Sequence, residues 1–222
     1  MRKWRQVYER LPIERKDKTL SEISGFDKYC TDGEALRSTV FNNLLKESAI
    51  KVPGDVCEVG CGCADKLIFF DKAGYRCHGV DYSATMIERA KKEIPSGEFY
   101  HCDASELPFA DNSMDLVFSY SVFVYFEGWD YAVKVLKEMY RIAKDNAAIC
   151  IWDVPDIKEQ DKVEAFRGVP EKGYEHTYYD MNDFIQWFKA AGVLKVKAGY
   201  FFIPVYKHSL YRFNVTAITK KG

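Results

Sequence analysis

The chain has 222 residues, 47% hydrophobic and 15% aromatic, enough for one domain with a substantial core. Its 32 Lys and Arg nearly balance 33 Asp and Glu, and a net charge of −1 excludes the basic field of a nucleic-acid binder. No run approaches the roughly 18 apolar residues of a membrane span, no charged-then-apolar leader is visible, and the seven cysteines read as reduced thiols, so a cytoplasmic protein is expected.

Residues 1–33 are polar and show little apolar periodicity. Arg2, Lys3, Arg5, Arg15, Lys16 and Lys18 make a mildly basic start, but acids interleave from Glu9 onward, as on a solvated face. Leu36, Val40, Leu44 and Leu45 share a stripe and predict a helix over residues 34–48. Pro53-Gly54 then breaks the chain. Short apolar runs predict strands over Asp55–Val59, Tyr75–Asp81, Glu98–Cys102, Asp115–Tyr120 and Ala147–Trp152. Between them, helices are expected over Ala64–Lys72, from a Ser83 cap through Lys92, and over residues 130–143, where Ala132, Val135, Leu136, Met139 and Ala143 share a face.

Residues 156–179 turn polar and then aromatic. Asp180 is placed to cap a helix through Ala191, with Gly192 as its stop. Val193–Val205 and Tyr211–Thr219 are strand-like and close enough for an antiparallel hairpin. Unbroken apolar runs point to strands covered on both faces. The expected fold is a single α/β domain over residues 1–222. Its doubly wound, mostly parallel seven-stranded sheet ends in an antiparallel C-terminal edge hairpin. Residues 1–33 are expected to form an N-terminal lid or extension, and residues 154–180 a lid over the substrate.

The most informative stretch is Val56-Cys57-Glu58-Val59-Gly60-Cys61-Gly62-Cys63-Ala64, with Asp81 about twenty residues on. An apolar strand that ends in an acid and a glycine turn, followed by a second strand ending in an acid, builds a nucleoside pocket at the carboxyl edge of a parallel sheet. A dinucleotide site wants a third glycine where Asp65 stands, and an acid there repels a diphosphate. No Gly-x-x-x-x-Gly-Lys-Ser/Thr occurs, which excludes a P-loop. Cys57, Cys61 and Cys63 lack the spacing and second cluster of a zinc site, so no metal is expected.

Four spaced blocks together resemble the class I S-adenosylmethionine-dependent methyltransferases. They are Glu58 to Ala64; Gly79-Val80-Asp81-Tyr82-Ser83; His101-Cys102-Asp103-Ala104; and Leu107 to Val117. Ala64 stands where the family often has a third glycine, an exchange that fits if its φ is negative, and Met114 where it often has Phe. The resemblance implies S-adenosylmethionine as cofactor. It implies that Glu58, Gly60 and Gly62 shape its methionine end, whose carboxylate can use exposed N–H groups at the loop and helix start. Asp81 would hold both ribose hydroxyls, and Asp103 the adenine amino group beside the Ala104 N–H. Tyr82 or Met86 would cover the adenine, and Ser119 completes the expected cofactor set.

Methyl transfer from a sulfonium needs an aligned acceptor and a dry site. His176, in the aromatic segment Tyr174 to Tyr179, is the candidate base. Tyr125 is the candidate contact to acceptor or sulfonium. Gly25-Phe26-Asp27-Lys28-Tyr29 is a candidate lid. No Asn/Asp-Pro-Pro-Tyr/Phe follows the fourth strand, so the resemblance is to enzymes acting on small metabolites, sugars or natural products. The leading expectation is O-methylation of a sugar, surface-glycan precursor or secondary metabolite by a monomer or homodimer. The alternatives are N-methylation of a small amine and a non-catalytic scaffold that keeps the pocket.

Overall fold

The computed structural model describes residues 4–23, 29–167, 173–193 and 195–220. Residues 25–28 of the expected lid segment lie outside them. The elements run α1 (Trp4–Glu14), α2 (Leu20–Ile23), α3 (Gly33–Ser48), β1 (Asp55–Val59), α4 (Leu67–Lys72), β2 (Arg76–Asp81), α5 (Ala84–Glu93) and β3 (Glu98–His101). Then follow β4 (Met114–Tyr120), α6 (Trp129–Ile142), β5 (Ala143–Pro155), α7 (Gln160–Arg167), α8 (Met181–Ala190), β6 (Lys195–Tyr200) and β7 (Arg212–Ile218).

The seven strands lie in the order β3-β2-β1-β4-β5-β7-β6. The first five are parallel, and β7 runs antiparallel between β5 and β6. The expected hairpin therefore forms, with its second strand turned inward. Alternation along each strand feeds two cores. Cys57, Val59, Val117 and Ile149 join Leu136 and Met139 of α6 and Phe184 and Phe188 of α8 on one face. Val56, Leu116, Phe118 and Cys150 join Leu36, Val40 and Leu44 of α3, Phe70 of α4 and Ile87 of α5 on the other. Covering both faces explains why the strands read as unbroken apolar runs.

Three expectations change. Residues 4–14 form a helix in the stretch of little apolar periodicity, where Trp4, Val7, Tyr8 and Leu11 stand at the i, i+3, i+4, i+7 spacing of one helical face. The helix expected from Ala64 starts at Leu67, because Gly60, Gly62 and Ala64 all have positive φ (77°, 51° and 62°). Ala64 therefore takes the left-handed conformation, not the negative φ that alanine prefers. Finally β5 outruns residues 147–152, since Val154 and Pro155 pair with β7 after β4 has ended.

The chain order reverses between β1 and β4, so a crevice opens there at the carboxyl ends of the strands. Helix α1 lies over this edge. Pro12 has no N–H to give the Tyr8 carbonyl four residues back, and the Ser83 hydroxyl donates to that carbonyl instead, at 3.2 Å. The Glu9 carboxylate accepts from the Ala84 N–H at 3.0 Å, at the start of α5 where the helix dipole favours an anion.

Candidate active site

The turn after β1 is fastened to β2. The N–H groups of Gly60 and Cys61 donate to the Val80 carbonyl at 2.8 and 2.9 Å. Gly62 N–H donates to Asp81 Oδ2 at 2.9 Å, and Ser83 N–H to Asp81 Oδ1 at 2.9 Å. Burial pushes the Asp81 carboxyl above its usual range, opposed by these two bonds. The N–H donors at 60, 61 and 62 are thus used within the protein, so of the loop and helix-start donors expected to meet a cofactor carboxylate these three are already engaged.

Below the turn lies a buried ionic group. Lys66 Nζ is 2.8 Å from Asp65 Oδ1 and 3.4 Å from Glu58 Oε1. Burial works against the Lys66 charge, but Asp65 and Glu58 outweigh it and hold the ammonium above its ordinary range. Neither Glu58 oxygen accepts a hydrogen bond among the described residues, nor does Asp65 Oδ2. Burial, opposed by Lys66, pushes the Glu58 carboxyl up to about 8.

One cavity of about 950 Å³ runs along this edge. Of the sequence-predicted cofactor residues, Gly60, Gly62, Asp81, Tyr82, Met86 and Ala104 line it, as do the catalytic candidates Tyr125 and His176. Glu58, Asp103 and Ser119 are not in its wall. Glu58 is sealed under Lys66. Asp103 Oδ1 is taken by the Ser105 N–H and hydroxyl and by the Tyr131 hydroxyl, at 3.0, 2.7 and 2.5 Å. Ser119 is buried and its hydroxyl donates across the sheet to the Val59 carbonyl at 2.9 Å. Tyr120, on the opposite face of the pleat, and Ser121, past the end of β4 at a φ of +60°, line the cavity instead.

The roof is aromatic. Tyr8 of α1 donates its hydroxyl to that of Tyr125 at 2.6 Å. Burial and then the Tyr125 neighbour push the Tyr8 hydroxyl well above its usual range. The Trp4 ring lies 5.2 Å from Tyr125 and 5.4 Å from His176, and Tyr125 meets His176 edge-on at 5.9 Å. Sequence reasoning missed Trp4 and Tyr8, whose helical stripe is diluted by Arg10 and Pro12. It also missed Lys66, Tyr206, His208 and Arg212, which line the same cavity from distant parts of the chain. Among the described residues no three His, Cys, Asp or Glu side chains gather as a metal centre needs, and no helix is long and apolar enough to cross a membrane.

Residues 57–151 match a family model described as a methyltransferase domain. A demethylmenaquinone methyltransferase of Lysinibacillus sphaericus is 30% identical over 114 residues, 49% of this chain and 47% of that protein. A ubiquinone/menaquinone biosynthesis C-methyltransferase of Desulfotalea psychrophila is 32% identical over 111 residues, 47% of this chain and 44% of that one. The chain thus spans about half the length of these relatives. The magnesium protoporphyrin IX methyltransferase of Synechocystis PCC 6803, solved with bound S-adenosylhomocysteine, superposes with a TM-score of 0.70 at 16% identity and covers 98% of both chains. At that identity the likeness is one of fold. With the glycine turn, the acid closing β2 and the seven-stranded sheet in place, residues 57–151 match a methyltransferase domain, set in the fold of the class I S-adenosylmethionine-dependent methyltransferases.

Proposed function

We propose that this chain moves the methyl group of S-adenosylmethionine to a small-molecule acceptor, in a reaction at oxygen. The observation that carries this reading is a single cavity that joins Asp81 and Gly62 to a chamber walled by Tyr8, Tyr125 and His176. The cofactor supplies the activated methyl when bound. The residues present suit it. Each Asp81 oxygen has one backbone donor and keeps a lone pair, matching two neighbouring hydroxyls. Asp65 and Lys66 line the cavity as a paired acid and base, matching the ammonium and carboxylate of an amino acid end. Asp103 acts from behind the wall, holding Tyr131 and the Cys102–Ser105 turn for the adenine.

His176 is proposed to take the acceptor's proton, and Tyr125 to orient the acceptor from its hydrogen bond with Tyr8. Residues 1–33 and 154–180 are proposed as two lids on one domain spanning residues 1–222, sealing the site from water. The seven cysteines form no disulfide, which suits a cytoplasmic protein. Assembly as a monomer or homodimer, with no nucleic-acid partner, suits the balanced charge.

A second reading, methylation at carbon, is favoured by the relatives' names, one of which is a C-methyltransferase. Titration calorimetry with S-adenosylhomocysteine tests the cofactor. Transfer of labelled methyl to pooled small metabolites, with the product bond read by NMR, separates oxygen, carbon and nitrogen. A protein that retains neither S-adenosylmethionine nor its spent thioether refutes the proposal. His176→Ala should lower kcat far more than cofactor affinity.

A further inference from the structure

The far wall of the cavity holds a charge that the methyl donor does not require. Arg212 opens β7 and is 7% exposed. Its Nη1 donates to Asp153 Oδ2 at 2.7 Å, to the Asp153 carbonyl at 3.1 Å and to the Ser121 hydroxyl at 3.0 Å. Asp153, 4% exposed, also accepts from the Tyr206 hydroxyl at 3.0 Å. The guanidinium is therefore fixed in plane and position. Yet a guanidinium has five N–H donors. All its hydrogen bonds to described residues leave from Nη1. Nε and Nη2 carry three N–H groups with no acceptor there, neither atom is sealed in the core, and the side chain lines the cavity.

Donors fixed in this way and open to the cavity are preorganised for an acceptor, and an anionic ligand gains charge-assisted bonds there. The walls beside Arg212 are flat rings: Tyr120, Tyr206 and His208, the last packed edge-on against Tyr29 at 4.2 Å. Asp153 offsets the guanidinium charge, so what the cavity wall still offers is the direction of the remaining N–H donors. We propose that Arg212 forms the acceptor subsite of the methyltransferase proposed above and selects a planar, unsaturated molecule bearing an anionic oxygen, a carboxylate or an enolate-type oxygen. Such an acceptor makes charge-assisted, fork-shaped contacts to Nε and Nη2 while its ring stacks among the aromatic walls.

The test uses the full chain saturated with S-adenosylhomocysteine. Calorimetry compares 2-naphthoate with its uncharged isostere 2-naphthamide. The acid should bind at least about tenfold more tightly, the scale of one charge-assisted hydrogen bond. In Arg212→Gln combined with Asp153→Asn, which leaves no lone buried ion, that preference should vanish while S-adenosylhomocysteine affinity stays within about twofold. Equal affinity for acid and amide in the parent chain, no binding of either, or a preference that survives in the double variant overturns the proposal. Should the double variant fail to fold, the acid–amide ratio in the parent chain decides alone. Should S-adenosylhomocysteine not be retained, the methyltransferase reading falls separately, and the same probe pair on the ligand-free chain still decides for or against the anion subsite.

Discussion

Asp81 sits where two demands meet, since it fastens the Gly62 turn and still has lone pairs facing the cavity. Asp81→Ala should weaken S-adenosylhomocysteine binding by about 1.5–3 kcal/mol, the worth of hydrogen bonds to a charged group. Calorimetry showing unchanged affinity would remove Asp81 from that role. The two glycines of the turn are not equivalent. A Cβ on Gly60 would meet Val122 Cγ2 at 2.5 Å and Cγ1 at 2.7 Å, at a φ of +77°. A Cβ on Gly62 would meet only Met86 Sδ, at 3.9 Å, at a φ of +51°. Gly62→Ala should therefore cost only the left-handed strain, about 1–2 kcal/mol. Gly60→Ala should add overpacking of about 1–3 kcal/mol to the same strain. Urea unfolding of both variants checks the order, and equal midpoints would show that Val122 yields freely. Ala64 shows that the strain alone is tolerable when the methyl group is buried in the core.

Among the elements, α1 is held by polar contacts to the start of α5 and by Leu11 packing with Met86 and Ile23. Glu9 is the pivot, because its carboxylate meets the Ala84 N–H and the Thr85 hydroxyl, and its carbonyl accepts from Thr85 at 2.7 Å. Glu9→Ala should cost about 1 kcal/mol, as for a lost helix cap, and should speed amide exchange across residues 4–14 while the sheet exchanges as before. Unaltered exchange in α1 would mean that the apolar contacts alone hold it. The same helix marks the limit of what the sequence made legible. Strands β1 to β5 stood out because burial on both faces leaves apolar runs that need no partner to be noticed. The α1 stripe of Trp4, Val7, Tyr8 and Leu11 was diluted by Arg10 and Pro12, and its partners lie about 75 to 170 residues away. Gly60, Gly62 and Asp81 carried their own local geometry. Arg212 did not, since it meets Asp153 and Ser121 only after β7 enters the sheet beside β5.

Across the whole molecule, ionic groups gather at both ends of the sheet and act in opposite pH ranges. At the amino end Asp55 receives Arg76 through two bonds of 2.8 and 2.6 Å, with Lys144 and His78 close by. The Arg76 bond, chiefly, holds the Asp55 carboxyl well below its usual range. A depressed carboxyl contributes stability above its unfolded value of about 3.9, and loses it as pH falls through the folded value. At the carboxyl end Glu58 behaves the other way. Burial raises its carboxyl to about 8, so the folded chain keeps a proton that the unfolded chain has released above about pH 4.3. Its contribution is full below that pH and declines as pH rises to about 8. Glu58→Gln keeps a neutral group of similar shape and removes the titration. The parent chain should lose urea stability from pH 5 to pH 9, whereas the variant's curve should be flatter, with the gap between them widening toward pH 9. Parallel curves would mean that Lys66 keeps Glu58 ionised throughout, and the acid beneath the glycine turn would then be an ion pair and not a buried proton.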